Sequence, residues 1–114
     1  MKNNVTEADI QQGILQYLTL RFPHGYFKRQ NTLPIPIRMK VNGVWQITGF
    51  RKARDAGTSD IIGCLKGRFV AIEVKRTKRD KPSPDQQKFL DDINAAGGIG
   101  FVARSIDDVR ENLG

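Results

Sequence analysis

The chain has 114 residues, 39% hydrophobic and 27% charged, which suits one domain around a single modest core and is too short for two. Its 19 basic and 12 acidic side chains leave a net charge of +7, favouring a polyanionic partner while saying nothing about fold. No apolar run approaches the roughly 20 residues that span a bilayer, the N-terminal MKNNVTEADI lacks the apolar centre of a signal peptide, and the lone Cys64 excludes an internal disulfide or a cysteine zinc cage. A reduced, cytoplasmic protein without a membrane role is expected.

In chain order, Thr6 is placed to cap a first helix, with Asp9 as the reciprocal partner three residues on and Val5 able to staple onto Ile10. Ile10, Ile14, Tyr17 and Leu18 recur at helical spacing until Phe22-Pro23 ends the run. Residues 25–31 read as a loop leading to a strand. Asn42-Gly43 predicts a type I′ hairpin turn, which sets Lys40 opposite Trp45 and Arg38 opposite Ile47. Ile37, Met39 and Val41 then share the other face, and Pro34 and Pro36 make the first strand an edge. Residues 50–59 read as a basic loop turning at Gly57. Ile61–Leu65 and Phe69–Lys75 form a second hairpin through Lys66-Gly67. Pro84 opens a helix to about Ala96, ended by Gly97-Gly98; Ile99–Ala103 is a short strand, and Ser105 caps a last helix. The order implies a single α/β domain over 1–114 with a mixed sheet, elaborated by the hairpin at about 35–50.

Charge is unevenly spread. Between Asp9 and Asp55 there is no acid, yet eight bases occur there: Arg21, Lys28, Arg29, Arg38, Lys40, Arg51, Lys52 and Arg54. A second cluster, Lys75, Arg76, Lys78, Arg79 and Lys81, is interrupted only by Asp80. A solvated surface would account for such runs, but the length of the acid-free span favours phosphate contacts. Arg29, Arg38, Lys40, Arg51, Lys52, Arg54, Arg76 and Lys78 are the candidate DNA-binding residues.

The second hairpin carries the chemistry. With Lys66 and Gly67 as its turn, Leu65 pairs with Arg68 and Asp60 falls directly opposite Glu73. Their Cβ atoms would lie about 4.5–5.5 Å apart, and like charges so placed are destabilising unless a proton or cation compensates. Alternation puts Lys75 on the same face. Glu7 ends the core-facing stripe of the first helix, where a carboxylate needs a partner. Ile62, Cys64, Phe69 and Ala71 share the Asp60 and Glu73 face and are expected to bed that helix, bringing Glu7 towards the two acids. Carboxylate oxygens prefer Mg2+ or Mn2+ over zinc, a cation polarises a phosphodiester, and basic surroundings grip phosphate. The alternative is an exposed edge pair in which Lys75 merely bridges Glu73. His24 reads as a surface residue, Cys64 as a small core residue, and either Gln86 or Gln87 can face the acids, not both.

The arrangement resembles the PD-(D/E)xK nuclease superfamily and, within it, the small stand-alone virus-type replication-repair nuclease (VRR-NUC) domain. The likeness rests on Glu7 in the first helix, Gly57-Thr58-Ser59-Asp60 before a strand, Glu73-Val74-Lys75, Ser83-Pro84-Asp85-Gln86 opening a helix, and Ala96-Gly97-Gly98 before a closing strand. Ser59 stands where the superfamily usually has proline. The resemblance implies a restriction-endonuclease-like αβββαβ core flanked by helices. It implies that Asp60 and Glu73 bind Mg2+ or Mn2+ together with the Val74 backbone carbonyl, and that Glu7 adds a ligand directly or through water. Lys75 would be the catalytic lysine, and Gln86 would orient groups at the site. The implied activity is structure-selective cleavage of branched DNA such as four-way (Holliday) junctions, by a homodimer, in a bacterial or phage-infected cell. The alternative is a non-cleaving DNA-binding module that retains the fold, against which the joint presence of Glu7, Asp60, Glu73 and Lys75 speaks. A restriction-like enzyme would need a recognition domain for which 114 residues leave no room.

Overall fold

Thr6 starts the first helix, α1 (Glu7–Arg21), through the expected capping box: its hydroxyl accepts the Asp9 N–H at 3.1 Å, and the Asp9 carboxylate accepts the Thr6 N–H at 3.0 Å. The computed structural model describes residues 5–30, 35–51 and 58–114, with backbone alone at Ile35 and Arg51. Pro34, Lys52, Arg54 and the turn at Gly57 lie outside the described residues, as does the Arg51 side chain. After α1 come β1 (Tyr26–Arg29), β2 (Ile35–Val41), β3 (Val44–Arg51), β4 (Ile61–Leu65), β5 (Arg68–Val74), α2 (Pro84–Ala95), β6 (Ile99–Ala103) and α3 (Ile106–Leu113). No described helix is long and apolar enough to cross a membrane.

The chain is α/β, with a mixed four-stranded sheet in the order β1-β4-β5-β6 and a separate two-stranded sheet, β2-β3. β5 and β6, joined through α2, are parallel; the other neighbours are antiparallel. Both expected turns form with positive φ at each central residue, 50° and 80° at Asn42 and Gly43, 51° and 79° at Lys66 and Gly67. They set the registers read from sequence: Lys40 pairs with Trp45, Arg38 with Ile47, and Ile61 with Ile72. Arg38 pairs with Ile47 while Ile37 pairs with Gly49, so Thr48 is the extra residue of a bulge.

β1 corrects the expected loop at 25–31. It exists because it pairs with β4, with Phe27 opposite Gly63. A Cβ on Gly63 would meet the Tyr26 carbonyl oxygen at 2.1 Å and the Phe27 ring at 2.6 Å, so glycine is what lets the strands close. That contact is invisible to local propensity.

The packing of α1 is a second correction. Ile14 and Leu18 bury against Ile61, Val70, Ile72, Val74, Phe101 and Ala103, with Val109 from α3. These belong to the face of β4 and β5 opposite Ala71 and Glu73, so α1 does not bed on Ile62, Cys64, Phe69 and Ala71. α2 takes that side. Ala71 and Gly100 are paired across β5 and β6, and a Cβ on Gly100 would stand 3.0 Å from the Leu90 carbonyl. Two small residues thus admit the α2 backbone where larger ones would hold it off. α2 does not shield the far end of this face, where Tyr26, Cys64 and Phe69 lie in register and are exposed. Cys64 is therefore a surface thiol, not a core residue.

Candidate active site

Strand pairing brings Asp60 to the end of β4 beside the last residues of β5. Its main-chain carbonyl accepts the Gln30 N–H at 2.8 Å, and its carboxylate accepts the Val74 N–H at 2.8 Å. Asp60 and Glu73 are both buried, at 5% and 1% exposure. The strand ladder stops at Ile61 and Ile72, one residue short of the acids, so Asp60 turns its carboxylate onto the β5 backbone.

Glu73 is held from two sides. The Gln86 side-chain amide donates to its Oε1 at 2.9 Å, and the Lys75 ammonium lies 3.6 Å from the same oxygen. The Lys75 side chain is itself largely buried, at 15% exposure. An exposed edge pair is thereby excluded: the bridge exists, but it forms where removing both ions from water carries a cost that only close pairing offsets. Lys75 continues the β5–β6 pairing, donating its N–H to the Ala103 carbonyl at 3.1 Å.

Gln86 is the third residue of α2 and belongs to its capping box. Its Oε1 accepts the Ser83 N–H at 2.8 Å while its Nε2 reaches Glu73. Gln87 turns away and donates to Asp91 at 2.9 Å, which decides between the two glutamines. Helix capping and the orientation of a buried acid are here one side chain.

Glu7 approaches over the strand ends from the opposite face. Partial burial, and then the negative charge of Asp60, raise its carboxyl above the ordinary value; Asp80 adds to the rise and Lys75 opposes it. Glu7 therefore feels the charges of Asp60 and Lys75, although α1 does not pack on the face expected. Among the described residues, no three His, Cys, Asp or Glu side chains converge closely enough to hold a metal by themselves. The donors on offer are hard carboxylate oxygens, set at a place where backbone carbonyls also end.

Asp80 is a site neighbour that sequence reasoning passed over as a mere break in a basic cluster. Its carboxylate accepts both the main-chain N–H and the hydroxyl of Thr77, at 3.2 and 3.1 Å. The Thr-x-x-Asp spacing was its only local signal. Arg104 fastens the same loop from behind, donating to the carbonyls of Thr77 and Asp80, each at 2.7 Å. No signal in the sequence pointed to Arg104, because its partners are two backbone carbonyls in another loop.

The basic candidates divide by place. Arg76 and Lys78 are exposed in the loop after Lys75. Arg29 is exposed at the end of β1, next to Gln30 and so beside Asp60. Arg38 and Lys40 lie on the separate hairpin, and Arg51 ends β3. Compared with known proteins, the chain matches no family model and no curated protein.

Proposed function

We propose that the chain is a divalent-metal-dependent, structure-selective DNA endonuclease of the VRR-NUC kind, hydrolysing phosphodiester bonds at branched DNA such as four-way junctions. The observation that carries this reading is a pair of buried acids, Asp60 and Glu73, at adjoining strand ends, with the Lys75 ammonium 3.6 Å from Glu73. A cation bound between them would offset the mutual repulsion of two buried carboxylates, adding to the Lys75 charge already beside Glu73. The element order also suits an αβββαβ nuclease core once the hairpin is set aside.

The donor set fits Mg2+ or Mn2+ better than a closed cage metal. Mg2+ keeps several waters and takes only one or two carboxylates from the protein, which is what Asp60 and Glu73 supply, with the Val74 carbonyl as a further oxygen. Glu7 would join through water. When bound, the cation polarises the phosphodiester and stabilises the charge that develops as water attacks. Gln86 fixes the orientation of Glu73. Lys75 holds positive charge where the attacking water and the phosphate oxygens would lie. Arg29, Arg76 and Lys78 add phosphate contacts around the same end of the sheet.

The homodimer belongs to this proposal. Ile37, Met39, Val41 and Val44 lie on one face of the β2–β3 hairpin and are all exposed. An isolated two-stranded ribbon is only marginally stable in water, and a two-fold contact through that face would cover it.

The competing reading, a non-cleaving DNA-binding module, draws on the absence of a three-acid cluster among the described residues. One experiment separates them. Linear, flapped and four-way DNA are incubated with the protein, with and without Mn2+, alongside Asp60→Ala and Glu73→Ala. The nuclease reading expects metal-dependent cutting of the branched substrate, lost in both variants while binding is kept or tightened, because a negative charge facing phosphate is gone. Binding without cutting under every condition favours the module.

A further inference from the structure

The β2–β3 hairpin has two chemically different faces, and only one suits a second copy of the chain. The register places Arg38 opposite Ile47 and Lys40 opposite Trp45, so these four side chains share a face. Trp45 is 68% exposed and Ile47 58%, and Arg38, Trp45, Gln46 and Ile47 line a shallow depression. From Ile35 to Arg51 the hairpin contains no acid.

A two-fold contact through this face would bring two copies of the Arg38 and Lys40 patch into one interface and desolvate four like charges. A polyanion with flat aromatic groups meets no such penalty: the two cations take phosphates and the exposed indole takes a base. The hairpin is also tied to the candidate active site. It is inserted after Gln30, whose N–H bonds the Asp60 carbonyl, and the five peptide links from Gln30 to Ile35 can reach at most roughly 18 Å. The near end of the ribbon therefore starts within that distance of Gln30, and Arg38 and the Lys40–Trp45 pair follow three and five residues further along β2.

We propose that the Arg38–Lys40–Trp45 face binds DNA through unpaired bases, with Trp45 as the stacking platform and the two cations on the flanking phosphates. Such a face would direct the protein to DNA whose bases are open, at a branch point or a gap, in preference to uninterrupted duplex. The inference rests on the nuclease reading for the choice of DNA as the polyanion, but binding at this face needs no cleavage.

The test uses the full chain in EDTA, so that nothing is cut. Trp45 is the only tryptophan, and its fluorescence reports this face alone. A single-stranded oligonucleotide and a gapped duplex should quench it, whereas inorganic polyphosphate should bind without quenching and blunt duplex should quench far less. Trp45→Leu should weaken single-strand binding, read by anisotropy of a labelled oligonucleotide, by about tenfold or more, the scale of one stacked base. Binding of single strands with silent fluorescence, or an unchanged affinity in Trp45→Leu, overturns the inference. A fluorescence change that follows protein concentration instead of DNA also overturns it, by assigning the face to a second copy. If Trp45 is silent while the wild type cuts four-way DNA and Asp60→Ala does not, this inference fails and the nuclease reading stands; if no DNA binds at all, both fail.

Discussion

The Gln86 side-chain amide donates to Glu73 Oε1 at 2.9 Å, while the other end of the same amide accepts the Ser83 N–H at 2.8 Å. One residue thus caps α2 and satisfies a carboxylate that is 1% exposed. Gln86→Ala removes both contacts and leaves Glu73 short of a donor, so unfolding in urea should show a loss of roughly 1.5–3 kcal/mol. Gln86→Glu keeps the capping box but sets a second carboxylate against Glu73. Its deficit should be largest near neutral pH and shrink as the pH falls through the carboxylate range, where one of the two acids takes up a proton. A Gln86→Glu protein as stable as the wild type at pH 7 would contradict the contact.

Glu7 gives the opposite pH signature to a salt-bridged acid. Burial and the charge of Asp60 raise its carboxyl in the folded state above the ordinary 4.5. The folded state therefore binds more protons than the unfolded one, and stability falls as pH rises from the unfolded value through the raised one. Below that window the penalty is absent; above it the penalty is complete. In a chelating buffer, the melting temperature of Glu7→Gln should exceed the wild type's at pH 7, and the two should converge below about pH 4.5. Curves that stay parallel across this range would contradict the raised Glu7 carboxyl.

Assembly is tested at Met39, which is exposed on the same hairpin face as Ile37 and Val41 and far in sequence from the acids. Light scattering at micromolar concentration should give about twice the 12.8 kDa chain mass for the wild type. Met39→Lys, which would place two like charges together across a two-fold axis, should return the single-chain mass without unfolding the protein. A wild-type mass of 12.8 kDa rejects the dimer, and with it the paired cutting of opposed strands.

Two glycines should respond in opposite senses to alanine. At Gly63 the new methyl would sit 2.1 Å from the Tyr26 carbonyl oxygen, so β1 must move away from β4 and stability should drop by about 3 kcal/mol. Gly13 lies within α1 and a Cβ there meets nothing within 4 Å. Gly13→Ala should stabilise by about 0.5–1 kcal/mol through the lower entropy of the unfolded chain. Urea unfolding of both variants checks the pair.

What the sequence determined by itself is whatever a few adjacent residues decide. Asn42-Gly43 and Lys66-Gly67 accept positive φ at both turn positions, and each turn dictates the register of its hairpin, so the pairing of Ile61 with Ile72 was legible from spacing alone; Asp60 and Glu73 lie one residue beyond the last ladder pair. Thr6, Ser83 and Ser105 likewise mark their helix starts by local hydrogen bonds. Which face of the sheet receives which helix was not legible. β5 is apolar on both sides, with Val70, Ile72 and Val74 on one and Phe69 and Ala71 on the other, so alternation supports either packing. The tertiary structure decided it by size: bulky β-branched residues fill the layer under α1 and α3, and Ala71 with Gly100 leaves room for the α2 backbone. Arg104, Asp80 and the strand Tyr26–Arg29 became visible only there as well, because their partners lie in segments distant along the chain. Pairing energy between such segments depends on the shape of the assembled domain, which no local pattern carries.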